Sequence, residues 1–238
     1  MHAQIRIGAR RDLKLQEAVL IYRDDGAAFA TLHEVRAENG KTPYLGAGQP
    51  LTTGFLRMLA KGLGAVVAPE VLPENILART PDLIVWWSRA RRRVLFFGGE
   101  SEEARRLDGR TYPHPALVFK IADRELFVRA LQSDVRPTAG TLLKTAPYWN
   151  TDGPEGRVCL GSMQVPDEVN VDSIAGWERA YFESAFTHPT GAVRLTSHPG
   201  GFVGLWSALL ESQEPFPTKF LTDANQTLKQ FVEHNMER

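Results

Sequence analysis

The stretch Ala146-Pro147-Tyr148-Trp149-Asn150-Thr151-Asp152-Gly153-Pro154-Glu155-Gly156-Arg157-Val158-Cys159-Leu160 decides how this chain is read. Two glycines and two prolines keep it from forming a regular helix or strand. It follows a run of β-prone segments and precedes a helical one. Irregular segments of this length are uncommon in compact domains and often carry function. The stretch also holds Cys159, the chain's single cysteine.

Upstream of it, four segments read as strands: 83–87, 94–97, 116–121 and 125–131. Arg89-Ala90-Arg91-Arg92 and Ala122-Asp123-Arg124 supply turns. Connections this short imply antiparallel pairing, because parallel strands need long crossovers. Before them, Phe55, Leu56, Leu59 and Leu63 recur at near-helical spacing and predict a helix over 51–63, capped by Thr52 or Thr53 and ended by Gly62 or Gly64. Further upstream, strands over 18–22 and 29–35 flank Arg23-Asp24-Asp25-Gly26, a hairpin turn. Asn39-Gly40 and residues 46–50 punctuate the chain. Downstream, Ile174, Trp177, Tyr181 and Phe182 fall on one helix face, with Asp172 or Ser173 as cap. Residues 203–210 and 222–233 read as weaker helices. The order predicts an α+β fold: an N-terminal β-hairpin extension over 1–50, then a domain over 51–238 made of a helix, a four-stranded antiparallel meander, the long loop and C-terminal helices.

Composition bounds the function. The chain has 238 residues, 43% of them hydrophobic, enough for one sizeable core with an appended lobe. Lys+Arg and Asp+Glu both number 28, so no global field draws the chain to nucleic acid or to an anionic membrane. One cysteine cannot form an intramolecular disulfide. The first residues lack a signal-peptide pattern, and the strongest apolar run, 193–210, is interrupted by His198, Pro199, Gly200 and Gly201. These features predict a cytoplasmic protein whose thiol stays reduced. No His/Cys cluster has metal-ligand spacing, and no dinucleotide fingerprint, P-loop or nucleophile elbow occurs, so neither metal nor cofactor is expected.

The loop and its flanks resemble the ubiquitin-conjugating enzymes. These run helix, four-stranded meander, a loop with His-Pro-Asn, then Gly-x-Ile-Cys-Leu and further helices. Here Pro147-Tyr148-Trp149-Asn150 is followed by Gly156-Arg157-Val158-Cys159-Leu160. The cysteine lies nine residues after Asn150, about one more than is usual, and Tyr148-Trp149 stands where the family has His-Pro. That departure resembles the bacterial branch, in particular the protein B family of the PRTRC cassette. Trp86-Trp87, Arg136-Pro137, residues 146–150, Val158-Cys159-Leu160-Gly161 and the segment from Trp177 through Phe186-Thr187-His188 carry the likeness. The resemblance implies a cassette with a ThiF-like activating enzyme, a ubiquitin-like protein and a JAB-type peptidase as partners. It also implies that His188, which lies 29 residues after the cysteine, offsets the missing loop histidine.

On that reading, Cys159 carries an acyl group as a thioester, because a thiolate is both a strong nucleophile and a good leaving group. Nearby positive charge, from Arg157 in sequence or His188 in space, would favour the thiolate. Asn150 is the expected donor to the oxyanion that forms when an amine attacks, and Asp152 is a candidate to orient that amine. Plainer roles stand beside these. A lone cysteine is more often a buried structural thiol. Asn150 can shape a turn, and His188 can cap a helix end. His114 and His198 precede prolines and read as loop residues. The aromatic residues Trp86, Trp87, Trp177 and Phe182 read as core. The cluster Arg89, Arg91, Arg92 and Arg93 is a solvated hairpin tip or a contact for a partner or nucleic acid. Three functions are open on sequence alone: a thioester carrier, a non-catalytic binding or scaffold protein of the cassette, and a nucleic-acid-associated plasmid maintenance factor.

Overall fold

The computed structural model describes residues 15–23, 28–37, 42–62, 71–80, 83–99, 102–152, 154–161, 163–188, 194–210 and 212–234. The chain divides into two compact units, residues 1–70 and 71–238. In the first, β1 (Glu17–Arg23) and β2 (Ala28–Arg36) form an antiparallel hairpin with Val19 opposite Leu32 and Tyr22 opposite Phe29. The short strands β3 (Tyr44–Leu45) and β4 (Gln49–Pro50) also pair with β2. Helix α1 (Thr53–Gly62) follows, and the Thr52 hydroxyl accepts from the Phe55 N–H at 3.1 Å. The turn expected at Asp24-Asp25-Gly26, the break at Asn39-Gly40 and the stop at Gly64 lie outside the described residues.

The second unit contains β5 (Ile76–Thr80), β6 (Leu83–Ser88), β7 (Arg91–Phe97), α2 (Glu102–Leu107), β8 (Arg110–His114), β9 (Leu117–Ala122), β10 (Glu125–Ala130) and β11 (Leu142–Thr145). Then come α3 (Ile174–Glu183), β12 (Ala185–Phe186), α4 (Gly201–Leu209), a 3-10 turn over Thr218–Phe220, β13 (Asp223–Thr227) and α5 (Leu228–Glu233). The principal sheet has the order β13-β11-β10-β9-β6-β5, with antiparallel neighbours throughout. A smaller sheet has the order β12-β7-β8.

Two expectations change here. The meander contains 76–80 in place of 94–97. Strand β7 leaves it to pair with β8 and, in parallel, with β12. The expected helix over 222–233 is helical only from Leu228. Its first half, Asp223–Thr227, pairs with β11, and Thr227 caps α5 through a capping box with Gln230.

Strands β6, β9 and β10 are buried along nearly their whole length, which is why they read as continuous apolar runs. On one face Trp86, Phe119 and Val128 join Trp177 and Tyr181 of α3 and Trp206 of α4 in one core. On the other, Val85, Val118 and Phe127 pack with Leu228 and Phe231 of α5. The expected α3 face is the buried one: Ile174, Trp177, Tyr181 and Phe182.

Candidate functional site

The site is built on the edge of β10. Strand β11 pairs with only Arg129 and Ala130. The rest of that edge is taken by the loop: the Val128 N–H donates to the Gly156 carbonyl at 2.7 Å, and the Val158 N–H donates to the Leu126 carbonyl at 2.8 Å. Arg157 stands opposite Phe127 as an isolated antiparallel bridge, and Thr151 stands opposite Val158. Gly156 is required by this approach. Its φ is +76°, and a Cβ there would lie 2.7 Å from the Val128 carbonyl oxygen. Cys159 is the next residue beyond this pairing, and it is exposed.

Asn150 ties the expected site together through its backbone. Its N–H donates to the His188 carbonyl at 3.0 Å, and its carbonyl accepts from the Cys159 N–H at 2.8 Å. Its φ is +57°, a left-handed conformation that asparagine tolerates better than most residues. The carboxamide is committed to the same neighbours: Nδ2 donates to the Ala185 carbonyl at 2.8 Å, and Oδ1 accepts from the Thr187 N–H and the Thr187 hydroxyl, each at 3.1 Å. The Thr187 hydroxyl also lies 2.8 Å from His188 Nδ1. A hydroxyl has one hydrogen, so it serves either Asn150 Oδ1 or His188 Nδ1. With the hydrogen on Asn150 Oδ1, the oxygen accepts from an Nδ1–H and the lone pair of neutral His188 is on Nε2; with it on Nδ1, the tautomer is reversed. His188 is exposed and does not cap a helix, because α3 ends at Glu183.

Tyr148 and Trp149, where the resembled family has His-Pro, root the loop in the core. Tyr148 is fully buried, and its hydroxyl lies 2.7 Å from His114 Nδ1. Trp149 stacks on Phe202 of α4 with ring centroids 4.6 Å apart, and Trp206 Nε1 donates to the Pro147 carbonyl at 3.2 Å. His114 is therefore no loop residue. It ends β8, is 1% exposed, and burial pushes its pKa down to about 3, with nearby Arg93 lowering it further.

Cys159 shares a cavity of about 440 Å³ with Glu125, Asp152, Arg157, Val158 and Leu160. Arg157 is paired with Glu125 across its mouth, so its charge is partly answered before it reaches the sulfur. Asp152 Oδ1 is buried with no hydrogen-bond partner among the described residues. Beneath the loop, the Arg129 guanidinium donates to the Pro154 carbonyl at 2.6 Å. Burial brings its pKa down to about 10, against the opposing pull of Asp152 and Glu155. Gly153 and Pro189 lie outside the described residues.

The arginine cluster is spoken for. Glu178 of α3 accepts from Arg91 and from Arg93 (2.7 Å), and also from Trp86 Nε1 (3.1 Å). Arg92 donates to the Ser212 and Thr111 carbonyls, and Arg89 lies over the Trp87 ring. A groove of about 790 Å³ between β7 and α3 is larger than the Cys159 cavity but contains no residue of the loop and no nucleophile. Sequence reasoning missed Glu178. The signal was a carboxylate four residues after Ile174, on the face that the aromatic residues mark as buried.

Among the described residues no helix is long and apolar enough to cross a membrane. No curated protein and no solved structure matched this chain. A family match covers residues 56–224, from α1 through the principal sheet and the loop to the start of β13, and ties the protein to ubiquitin-like conjugation systems. With an exposed cysteine at the sheet edge and the match spanning well over half its length, this chain belongs to prokaryotic E2 family D.

Proposed function

We propose that this protein is a cysteine-dependent thioester carrier. It accepts a ubiquitin-like protein from a ThiF-like activating enzyme and passes it to an amine, within a cassette that includes a JAB-type peptidase. The observation that carries the reading is the placement of the sole cysteine: Cys159 is exposed, one residue past the sheet pairing, and bonded through its N–H to Asn150, whose own N–H bonds to His188.

The chemistry follows from those groups. The Cys159 thiolate attacks the adenylated C-terminal carbonyl of the ubiquitin-like protein, and AMP leaves. An acceptor amine then attacks the thioester carbonyl. The oxyanion that forms collapses to an amide and expels the thiolate, while the amine proton passes to a base. His188 Nε2 is the proposed base. Asn150 Nδ2 gives one hydrogen to Ala185 and retains a second for the oxyanion. Asp152 orients the amine, and Arg157, held by Glu125, borders the approach.

The test is a non-reducing gel with ATP, the activating enzyme and the ubiquitin-like protein. The expected result is a thiol-sensitive adduct that is absent in Cys159→Ala and becomes thiol-resistant in Cys159→Ser, where an oxyester replaces the thioester. The second reading, a non-catalytic binding module, draws on the full engagement of Asn150 Oδ1 in structural bonds. It is supported if the activating enzyme charges itself and no adduct forms.

A further inference from the structure

The first unit presents a strand that is complementary to itself. Among the described residues of that unit none is buried, so the hairpin closes no core of its own. Strand β1 pairs with β2 on one side and, among the described residues, with nothing on the other. Its apolar side chains are open to solvent: Ile21 is 62% exposed and Tyr22 51%. Free edges of this kind are ordinarily blunted by a proline, a bulge or a charge in mid-strand. Here the sequence is Glu-Ala-Val-Leu-Ile-Tyr-Arg, with charges only at the two ends.

The hydrogen-bond parity of the hairpin shows which groups the edge offers. The Val35 N–H donates to the Gln16 carbonyl at 2.8 Å. In an antiparallel ladder the inward-pointing residues alternate. Ala18, Leu20 and Tyr22 therefore point their backbone groups at β2, while Glu17, Val19, Ile21 and Arg23 point theirs outward. In an antiparallel two-fold pairing centred on Leu20, those four outward residues meet one another. Glu17 falls opposite Arg23 of the second copy, Val19 opposite Ile21, and Leu20 opposite itself. Each outward N–H and C=O gains a counterpart, both ends gain an opposite-charge pair, and the middle is apolar on both faces.

We propose that β1 is an interface between two copies of this chain, a two-fold edge-to-edge pairing that joins two hairpins into one continuous sheet. The occupant is a second copy because the charge order reads correctly only against itself in reverse. A strand from an unrelated protein would have no reason to match Glu17 and Arg23 together.

The test is sedimentation velocity on the full chain over a range of concentrations. A concentration-dependent dimer is expected. Glu17→Arg places Arg against Arg at both ends, and Arg23→Glu places Glu against Glu. Each is expected to raise the dimer dissociation constant roughly tenfold, as two reversed cross-strand pairs imply. The double variant Glu17→Arg/Arg23→Glu restores the pairing and is expected to dimerise like the parent. Both sites are exposed, and far-UV circular dichroism confirms that the variants fold. A monomer at every concentration, a dimer indifferent to the single reversals, or a double variant no tighter than the singles would each overturn the proposal. The readout is mass, so it stands or falls apart from thioester formation.

Discussion

At the scale of single residues, Asn150 does more than a turn requires. Its backbone bonds to the chain near Cys159 on one side and near His188 on the other, and its Oδ1 gathers donors from Thr187. With its hydrogen on Asn150 Oδ1, the Thr187 hydroxyl accepts from the Nδ1–H tautomer of His188 and leaves Nε2 as the basic nitrogen. Thr187→Val keeps the shape and removes the acceptor. The expected outcome is a shift of His188 toward the Nε2–H tautomer, read from the imidazole nitrogen resonances. Thioester discharge to an amine should slow about tenfold, a fraction of what a general base contributes. Thr187→Ser should rescue both. Unmoved nitrogen resonances would remove Thr187 from this role. None of this relay was legible in the sequence beyond the identities of Asn150 and His188, because its links join residues 37 and 38 positions apart. Proximity on that scale is a product of the fold and leaves no local pattern.

At the scale of elements, legibility tracked local periodicity. Helix α3 was readable because Ile174, Trp177, Tyr181 and Phe182 repeat on one face, and that face is the buried one. Strand β7 was readable as a strand, but its partner was not. Apolar alternation marks Leu95 and Phe97 for burial without saying which sheet buries them. Residues 223–227 were read as helix, and pairing with β11 overrode that reading. What holds β7 to α3 is Glu178, whose side chain is 12% exposed and gathers Arg91, Arg93 and Trp86. Arg93 also stacks on Phe182 at 4.0 Å. Glu178→Ala would strand the guanidinium of Arg93 and the indole N–H in a largely buried setting. A loss of about 3 kcal/mol in urea denaturation is expected, with a smaller loss for Glu178→Gln, which keeps hydrogen-bonding capacity without the charge. A loss within experimental scatter for the alanine variant would show that the arginines find water instead.

At the scale of the whole molecule, the second unit depends on a neutral histidine in its core. His114 has a native pKa near 3 and an ordinary value of 6.5, so the unfolded chain binds the extra proton between those limits. The histidine's contribution is fully present above pH 6.5 and is lost as pH falls toward 3. Unfolding free energy should drop by up to about 1.4 kcal/mol per pH unit across that window from this group alone. His114→Gln removes the titration and should flatten the profile in the same window, as denaturant titrations at pH 7, 6, 5 and 4 would show. Equal slopes for the two proteins would place the acid sensitivity elsewhere. The principal sheet has a further consequence. Its β10 strand is zipped to β11 at Arg129 and Ala130 and to the loop along the rest of that edge, so the Cys159 sulfur rides on a rail and not on a swinging arm. On the proposed carrier reading, such a thiol cannot reach out to collect its cargo. Whatever is to be loaded has to bring its own slack, and a donor with a long, unstructured tail meets that demand where a stiff one does not.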